Sequence, residues 1–147
     1  MKNFYVALFS DFLLGSTICT GCAEKKTGSS GEVIEMIHKV NGYWQMNHPE
    51  HGRSFWDNAA YHTGNMEVYF LTKKPEYLEY SKEWAEHNQW KGAKSDDKTC
   101  WKYSYGEIDD YVLFGDYQIC FHTYADLYNL EPDTQKIARA REVMEYQ

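Results

Sequence analysis

The chain has 147 residues, the length of one small domain rather than two. Hydrophobic residues make up 43% and charged residues 25% of the sequence, which excludes a generally disordered chain. The formal net charge is −7 and no basic cluster is present, so the sequence predicts no nucleic-acid partner.

Residues 1–22 have the features of a targeting segment. Lys2 precedes a mostly apolar stretch, Val6 to Ile18, that is too short to span a bilayer. The stretch ends in Thr20-Gly21-Cys22, which resembles the bacterial lipobox, in which the cysteine is lipidated. We therefore expect a lipoprotein-type signal peptide over residues 1–22, lipidation at Cys22, and a polar linker over residues 23–31. The implied location is the bacterial cell envelope, periplasmic or outer-membrane anchored, with plain secretion and a buried helix as alternatives.

Three helices are predicted in the first half of the mature chain. The first carries an apolar stripe at helical spacing: Val33, Ile37, Val40 and Trp44. The second is expected to begin near Ser54, which precedes Asp57 by three residues as in a capping box. Its predicted apolar face contains Ala60, Gly64, Val68 and Leu71. Gly64 there suggests the close approach of another backbone. Pro75 is placed as the first residue of the third helix, and Gly92 lies past its end.

The second half is predicted to contain a loop and two more helices. Residues 91–107 are polar and irregular, which indicates a long loop of a kind that is often functional. A fourth helix is expected to begin at Asp109 or Asp110, and a fifth carries Ile137 and continues to the chain end. Repeated helical hairpins are typical of a solenoid or a closed helical toroid. No alternating strand is found, so the predicted fold class is all-α.

No metal or cofactor site is predicted. His48 and His51 lie on either side of Pro49, which favours a surface loop over a zinc site. Phosphate-binding, dinucleotide-binding and GxSxG motifs are absent from the sequence. Cys100 and Cys120 are possible disulfide partners in an oxidising compartment, and the sequence leaves open whether they meet.

Two clusters of residues could carry chemistry. The segment from Trp56 to Gly64 places Trp56, Tyr61 and His62 near a helix start, where free N–H groups favour anions. It predicts one wall of a sugar or carboxylate site, or else a capped helix with Tyr61 and His62 packed in the core. In the second cluster, Asp109 and Asp110 either cap a helix or supply a carboxyl group with a raised pKa for general acid work.

The motif W-x4-Y-H-x-G at Trp56 to Gly64 leads into the segment YFLTKKPEYLEYSKEWAEH, and DDYVLFG-x8-Y-x3-Y follows after the loop. Together these motifs resemble the first part of the unsaturated glucuronyl or rhamnogalacturonyl hydrolases of glycoside hydrolase families 88 and 105. The resemblance covers residues 32–147 and implies the N-terminal helical hairpins of an (α/α)6 toroid, incomplete in this chain. It also implies removal of a terminal 4,5-unsaturated uronic acid from lyase-generated oligosaccharides such as unsaturated rhamnogalacturonan.

The resemblance assigns roles residue by residue. Asp110, five residues before Gly115, matches an active-site aspartate, and Asp109 is the alternative if the register shifts by one. Tyr61 matches a substrate-contacting tyrosine, His62 follows it as in the family, and Trp56 is expected to line the same cavity.

The family's proton donor lies in a W-x-D-x-L-Y/F-M-x-P-type segment that does not occur in these 147 residues. We therefore expect a truncated chain with negligible catalysis by itself. The alternative is a non-catalytic helical-repeat lipoprotein that binds glycan or protein.

Overall fold

The computed structural model describes residues 29–147, so the expected signal peptide and Cys22 lie outside the described residues. The described part contains five α-helices and two short 3-10 helices. The α-helices are α1 (Ser30–Asn47), α2 (Trp56–Thr72), α3 (Pro75–His87), α4 (Cys120–Leu130) and α5 (Gln135–Tyr146), and the 3-10 helices are Lys98–Cys100 and Gly115–Tyr117. No strand occurs in residues 29–147, which confirms the all-α prediction. Within the same range, no helix combines the length and the apolarity needed to cross a membrane.

Local signals explain where two of the helices begin. Ser29 and Glu32 form a capping box at the start of α1: the Glu32 N–H donates to the Ser29 hydroxyl at 3.3 Å, and the Ser29 N–H donates to the Glu32 carboxylate at 2.7 Å. α3 begins at Pro75, as predicted, because proline suits the first helical turn, where an N–H has no intrahelical partner.

The helices form two hairpins that lie side by side. α2 packs against α3, α4 packs against α5, and α2 and α4 also pack against each other. The core between the hairpins contains Ala59, Met66, Trp84, Ala85, Trp90, Cys120, Tyr124 and Leu127. The predicted hairpin architecture is therefore present: α2 and α4 join the two hairpins, and α3 and α5 pack against α2 and α4, respectively.

A second core supports the long connection between α3 and α4. It contains Phe55, Ala93, Trp101, Val112, Leu113, Tyr117 and Val143. These residues come from the start of α2, from the connection itself and from α5, so the connection is packed against both hairpins although it is irregular. Burial of this apolar area stabilises a segment whose backbone forms few regular hydrogen bonds.

The predicted start of the fourth helix is wrong. α4 begins at Cys120, ten residues after Asp110. Asp109 and Asp110 instead lie in turns, where the Lys102 N–H donates to the Asp110 carbonyl at 2.9 Å and the Leu113 N–H donates to the Lys102 carbonyl at 3.2 Å. These bonds to a distant part of the loop replace the i to i+4 bonds of a helix, so the two aspartates do not cap a helix.

The predicted capping box at Ser54 is also wrong. The residue that caps α2 is Phe55, whose side chain makes no capping hydrogen bond. The Ser54 side chain is buried and its hydroxyl hydrogen-bonds the Tyr124 hydroxyl on α4 at 2.8 Å. The Ser54 hydroxyl, which the sequence pattern predicts as a helix cap, therefore bonds a residue of another helix instead.

The close backbone approach occurs at Gly92 rather than at Gly64. A Cβ atom on Gly64 would meet no atom within 4 Å, whereas one on Gly92 would lie 1.9 Å from the Tyr117 carbonyl oxygen. Gly92 lies past the end of α3, as predicted, because α3 ends at His87; the left-handed residues between them are Gln89 and Trp90, with φ of 55° and 58°.

α1 is the least embedded of the helices. Its one buried residue is Asn41, while Val33 and Val40 of the predicted stripe are 51% and 60% exposed. An apolar groove of about 320 Å³ separates α1 from the predicted face of α2, and Gly64 and Val68 belong to its lining.

Cys100 and Cys120 are both free thiols, so the two cysteines do not pair in this structure. The Cys120 thiol is buried and donates to the Tyr117 carbonyl at 3.2 Å, and the Cys100 thiol donates to the Asp97 carboxylate at 3.4 Å.

Candidate functional site

The first residue of α2 is an exposed tryptophan. Trp56 is 50% exposed, and the preceding residue, Phe55, anchors the helix start by packing its ring against Tyr117 with centroids 4.9 Å apart. The first-turn N–H groups receive no side-chain cap from Phe55. The Asp57 carboxylate in the first turn accepts the Asn58 N–H at 2.8 Å, so this end of the helix dipole already has an anionic partner beside an accessible aromatic face.

An ion pair brings the second predicted cluster to the same end of α2. The Arg53 guanidinium donates to the Glu107 carboxylate and lies 4.5 Å from the centre of the Phe55 ring. The hydrogen bond from Arg53 lowers the pKa of the Glu107 carboxyl group, which is solvent-exposed. Trp56 and the segment that contains Asp110 thus flank one end of the helix, although they are separated by more than fifty residues of sequence.

The two neighbouring aspartates have different partners. The Asp109 carboxylate accepts the Lys94 N–H at 3.1 Å, and its carbonyl accepts the Ser95 N–H at 3.3 Å. Asp110 accepts one hydrogen bond through its backbone carbonyl, while its carboxylate has no hydrogen-bond partner within residues 29–147. Asp109 therefore has a structural role in the loop, and Asp110 is the aspartate whose carboxylate is free to contact a ligand.

Tyr61 faces α1. Its hydroxyl donates to the Asn41 side-chain oxygen at 2.6 Å and accepts from the Gln45 amide at 3.5 Å, and its ring stacks on Trp44 with centroids 4.4 Å apart. Burial raises the pKa of Tyr61, so the hydroxyl stays neutral. These contacts make Tyr61 the main link between α1 and α2.

His62 lies in the interface between α2 and α3. It is 3% exposed, stacks on Trp84 with centroids 4.1 Å apart, and shares a hydrogen bond with the Ser81 hydroxyl at 3.1 Å. Burial lowers the pKa of His62 from 6.5 to about 3, with a further contribution from His51. The structure therefore supports the packed-core interpretation of His62 and does not bring it to the end of α2 that carries Trp56.

Sequence reasoning missed the contacts that assemble the site. Arg53, Glu107 and Lys102 act through pairings across the chain, and no local pattern marks such pairs. It also missed the exposed rings of Tyr103 and Tyr105, which are 66% and 84% exposed in the loop that leads to Asp110. A run of aromatic residues in a polar loop is the signal that could have found them.

Within residues 29–147, no group of three or more His, Cys, Asp or Glu side chains is arranged to hold a metal ion.

The fold is that of a glycoside hydrolase. The profile of Glycosyl Hydrolase Family 88 matches residues 32–147, and the chain belongs to this family.

Two solved structures share the arrangement of helices. One, described as a polysaccharide lyase, is 86% identical over 82% of this chain and 34% of that chain, with a TM-score of 0.79. The other, described as a glycosyl hydrolase of family 88 from Bacteroides vulgatus, is 62% identical with the same coverage and TM-score. This chain therefore spans about a third of the length of either protein. Among curated proteins no match is found.

Proposed function

We propose that the chain contributes to a carbohydrate hydrolase that removes a terminal 4,5-unsaturated uronic acid from oligosaccharides produced by polysaccharide lyases. Membership of family 88 supports hydrolysis of a carbohydrate. The observation that supports a site in this part of the chain is the junction at the start of α2, where the Arg53–Glu107 ion pair joins the residues before the exposed Trp56 to the segment carrying Asp110.

The proposed chemistry is hydration of a vinyl ether. An acid protonates C4, water adds at C5 and loses a proton, and the resulting hemiketal opens so that the neighbouring sugar leaves as an alcohol. Positive charge develops on the ring oxygen and C5 as C4 is protonated, and a nearby carboxylate stabilises that charge. One carboxylic acid in a polar pocket that tolerates anions suffices, whereas ordinary glycoside hydrolysis uses two carboxyl groups that flank the scissile bond.

Asp110 is the proposed active-site carboxylate and Trp56 the proposed stacking surface for the sugar. The free carboxylate of Asp110 can hold a sugar hydroxyl or stabilise positive charge on the ring. Tyr61, placed in the resemblance as a substrate contact, would have to exchange its bond to Asn41 for a ligand.

Unsaturated rhamnogalacturonan, from pectin, is the proposed substrate. Because the donor motif of the family is absent from the 147 residues, we also propose that this chain alone turns over substrate negligibly and provides one wall of the site.

An ultraviolet assay tests these proposals, because the C4=C5 bond absorbs and hydration destroys it. The 147-residue chain is compared with a chimera in which residues 32–147 replace the matching part of the Bacteroides vulgatus protein. We expect the chimera to remove the absorbance of an unsaturated disaccharide and the chain alone to leave it unchanged. A chimera that instead raises the absorbance of a saturated uronate polymer is a lyase and contradicts the proposal. A folded chimera that binds the disaccharide and never converts it supports the non-catalytic alternative.

The neighbouring aspartates provide a matched pair of variants. Asp110→Asn in the chimera is expected to lower kcat by about a hundredfold or more, the range of lost acid–base and charge stabilisation. Asp109→Asn weakens the hydrogen bond to the Lys94 N–H and is expected to cost about 1 kcal/mol of stability while keeping most of the activity. Equal losses of activity in the two variants would contradict the assignment of Asp110.

We also propose that Cys22 carries a lipid that anchors the domain in the cell envelope. Metabolic labelling with a radioactive fatty acid is expected to mark the wild-type chain and not Cys22→Ser. Label that persists in the variant would refute the anchor.

A further inference from the structure

Arg139 is a buried guanidinium on α5. Arg139 is 4% exposed. A charged side chain is rarely buried to this extent unless it has close partners. Arg139 ion-pairs with the Asp96 carboxylate in the loop after α3, and with Glu142 on its own helix at 3.2 Å. Its guanidinium also lies over the Trp101 ring, 5.3 Å from the ring centre. Two of its three partners, Asp96 and Trp101, therefore belong to the loop between α3 and α4.

The part of the loop that Arg139 holds is the part that contacts the two aspartates. The Trp101 indole N–H donates to the Ser95 carbonyl at 3.0 Å, which closes the segment 95–101 on itself. Next to this closure, the Ser95 N–H donates to the Asp109 carbonyl at 3.3 Å, and the Lys102 N–H donates to the Asp110 carbonyl at 2.9 Å. Both edges of the closed segment thus bind the Asp109–Asp110 backbone.

We propose that Arg139 is a positioning residue for Asp110: it clamps the loop segment 95–101 against α5, and that segment fixes the backbone of Asp109 and Asp110. The functional consequence rests on the proposed role of Asp110, whereas the positioning itself does not. Arginine suits this role better than lysine, because a planar guanidinium can stack on an indole and pair with a carboxylate at the same time.

The alternative is that Arg139 only attaches α5 to the rest of the protein. Lys136 offers a matched control, because it is also a buried cation on α5, at 6% exposure. Its ammonium donates to the Glu131 carbonyl at 2.8 Å and to the Glu131 carboxylate at 3.1 Å, next to the end of α4. Loss of Lys136 therefore weakens the attachment of α5 without touching the loop segment that contacts Asp109 and Asp110.

Amide hydrogen exchange of the 147-residue chain, measured by NMR, separates these roles. Exchange at the Ser95 and Lys102 N–H groups is compared with exchange at Met66, whose fully buried position reports global unfolding. Arg139→Met is expected to speed exchange at Ser95 and Lys102 at least about tenfold relative to Met66, and to shift the Asp110 carboxyl carbon resonance. Lys136→Met is expected to change the same ratio by less than about twofold.

Two further variants keep the test decisive if Arg139→Met folds poorly. Asp96 has an exposed side chain that pairs with both Arg139 and Lys91, so Asp96→Asn weakens both ion pairs from the surface and should also speed exchange at Ser95 and Lys102. Arg139→Lys keeps the charge near Asp96 and loses the planar stack on Trp101, so partial protection is expected. Unchanged exchange ratios in Asp96→Asn, or equal ratios in Arg139→Met and Lys136→Met, would overturn the proposal.

The outcome is independent of catalysis. If exchange responds to Arg139 as expected but Asp110→Asn keeps full activity in the chimera, the proposed function of Asp110 fails and the positioning stands. If Asp110→Asn loses activity and exchange does not respond to Arg139, the positioning fails and the proposed function stands.

Discussion

The buried His62 predicts a dependence of stability on pH. The unfolded chain binds a proton at this imidazole near pH 6.5, whereas the folded protein does so only near pH 3. Because the folded pKa is depressed, the stabilising contribution is complete above pH 6.5 and is lost as the pH falls from 6.5 towards 3. With these two values, His62 alone lowers the free energy of unfolding by about 2 kcal/mol between about pH 7 and about pH 5.

Urea unfolding of the wild type and of His62→Gln at the two pH values measures this contribution. The variant lacks the titrating group, so its loss of stability between the two pH values should be smaller than that of the wild type by about 2 kcal/mol. His87→Gln is a matched control, because it removes an exposed histidine from α3 and should lose stability with pH as the wild type does. If His62→Gln and the wild type lose the same stability between the two pH values, His62 is not buried as a neutral imidazole, and its placement in the packed core is wrong.

Two further predictions follow from local geometry. Gly92→Ala would place a Cβ atom 1.9 Å from the Tyr117 carbonyl oxygen and should cost more than about 2 kcal/mol of stability. The Cβ atom of Gly64→Ala would meet open space, so this variant should raise stability by up to about 1 kcal/mol. Denaturant unfolding measures both changes. Burial raises the pKa of the Cys120 thiol to about 12, so a thiol reagent at neutral pH should modify Cys100 in the folded protein and reach Cys120 only on unfolding, and rapid modification of Cys120 would contradict its burial.

The sequence predicts the hairpin architecture because its signals are local. Pro75 marks the start of α3 through a backbone property that tertiary contacts do not change. Apolar residues at helical spacing likewise predict α2 and α4, since each must bury one face against a neighbour. Even there, the spacing gives the helix and not its exposure: Val40 belongs to the predicted stripe of α1 and is 60% exposed.

The sequence-based predictions are wrong where a polar group that a local pattern assigns to a helix start bonds a residue distant in the sequence instead. Ser54 has the right spacing for a cap, but its hydroxyl bonds Tyr124 across the core. Aspartate is a residue type that favours helix starts, but the Asp110 carbonyl accepts a hydrogen bond from the Lys102 N–H in the loop. The structure of a long connection that packs against two hairpins can be predicted only when both residues of each hydrogen-bonded pair are known.

The different placement of Tyr61 and His62 follows from helix geometry rather than from chance. Consecutive residues of an α-helix point about 100° apart, since 3.6 residues complete a turn. α2 lies between α1, α3 and α4, so adjacent positions face different neighbours: Tyr61 bonds Asn41 on α1, and His62 stacks on Trp84 of α3. The two rings nevertheless lie 5.1 Å apart, edge to face, and both approach Tyr80 of α3, so they belong to one aromatic cluster. Trp56, the first residue of the motif, is 50% exposed, because the helix begins there and no preceding turn covers it.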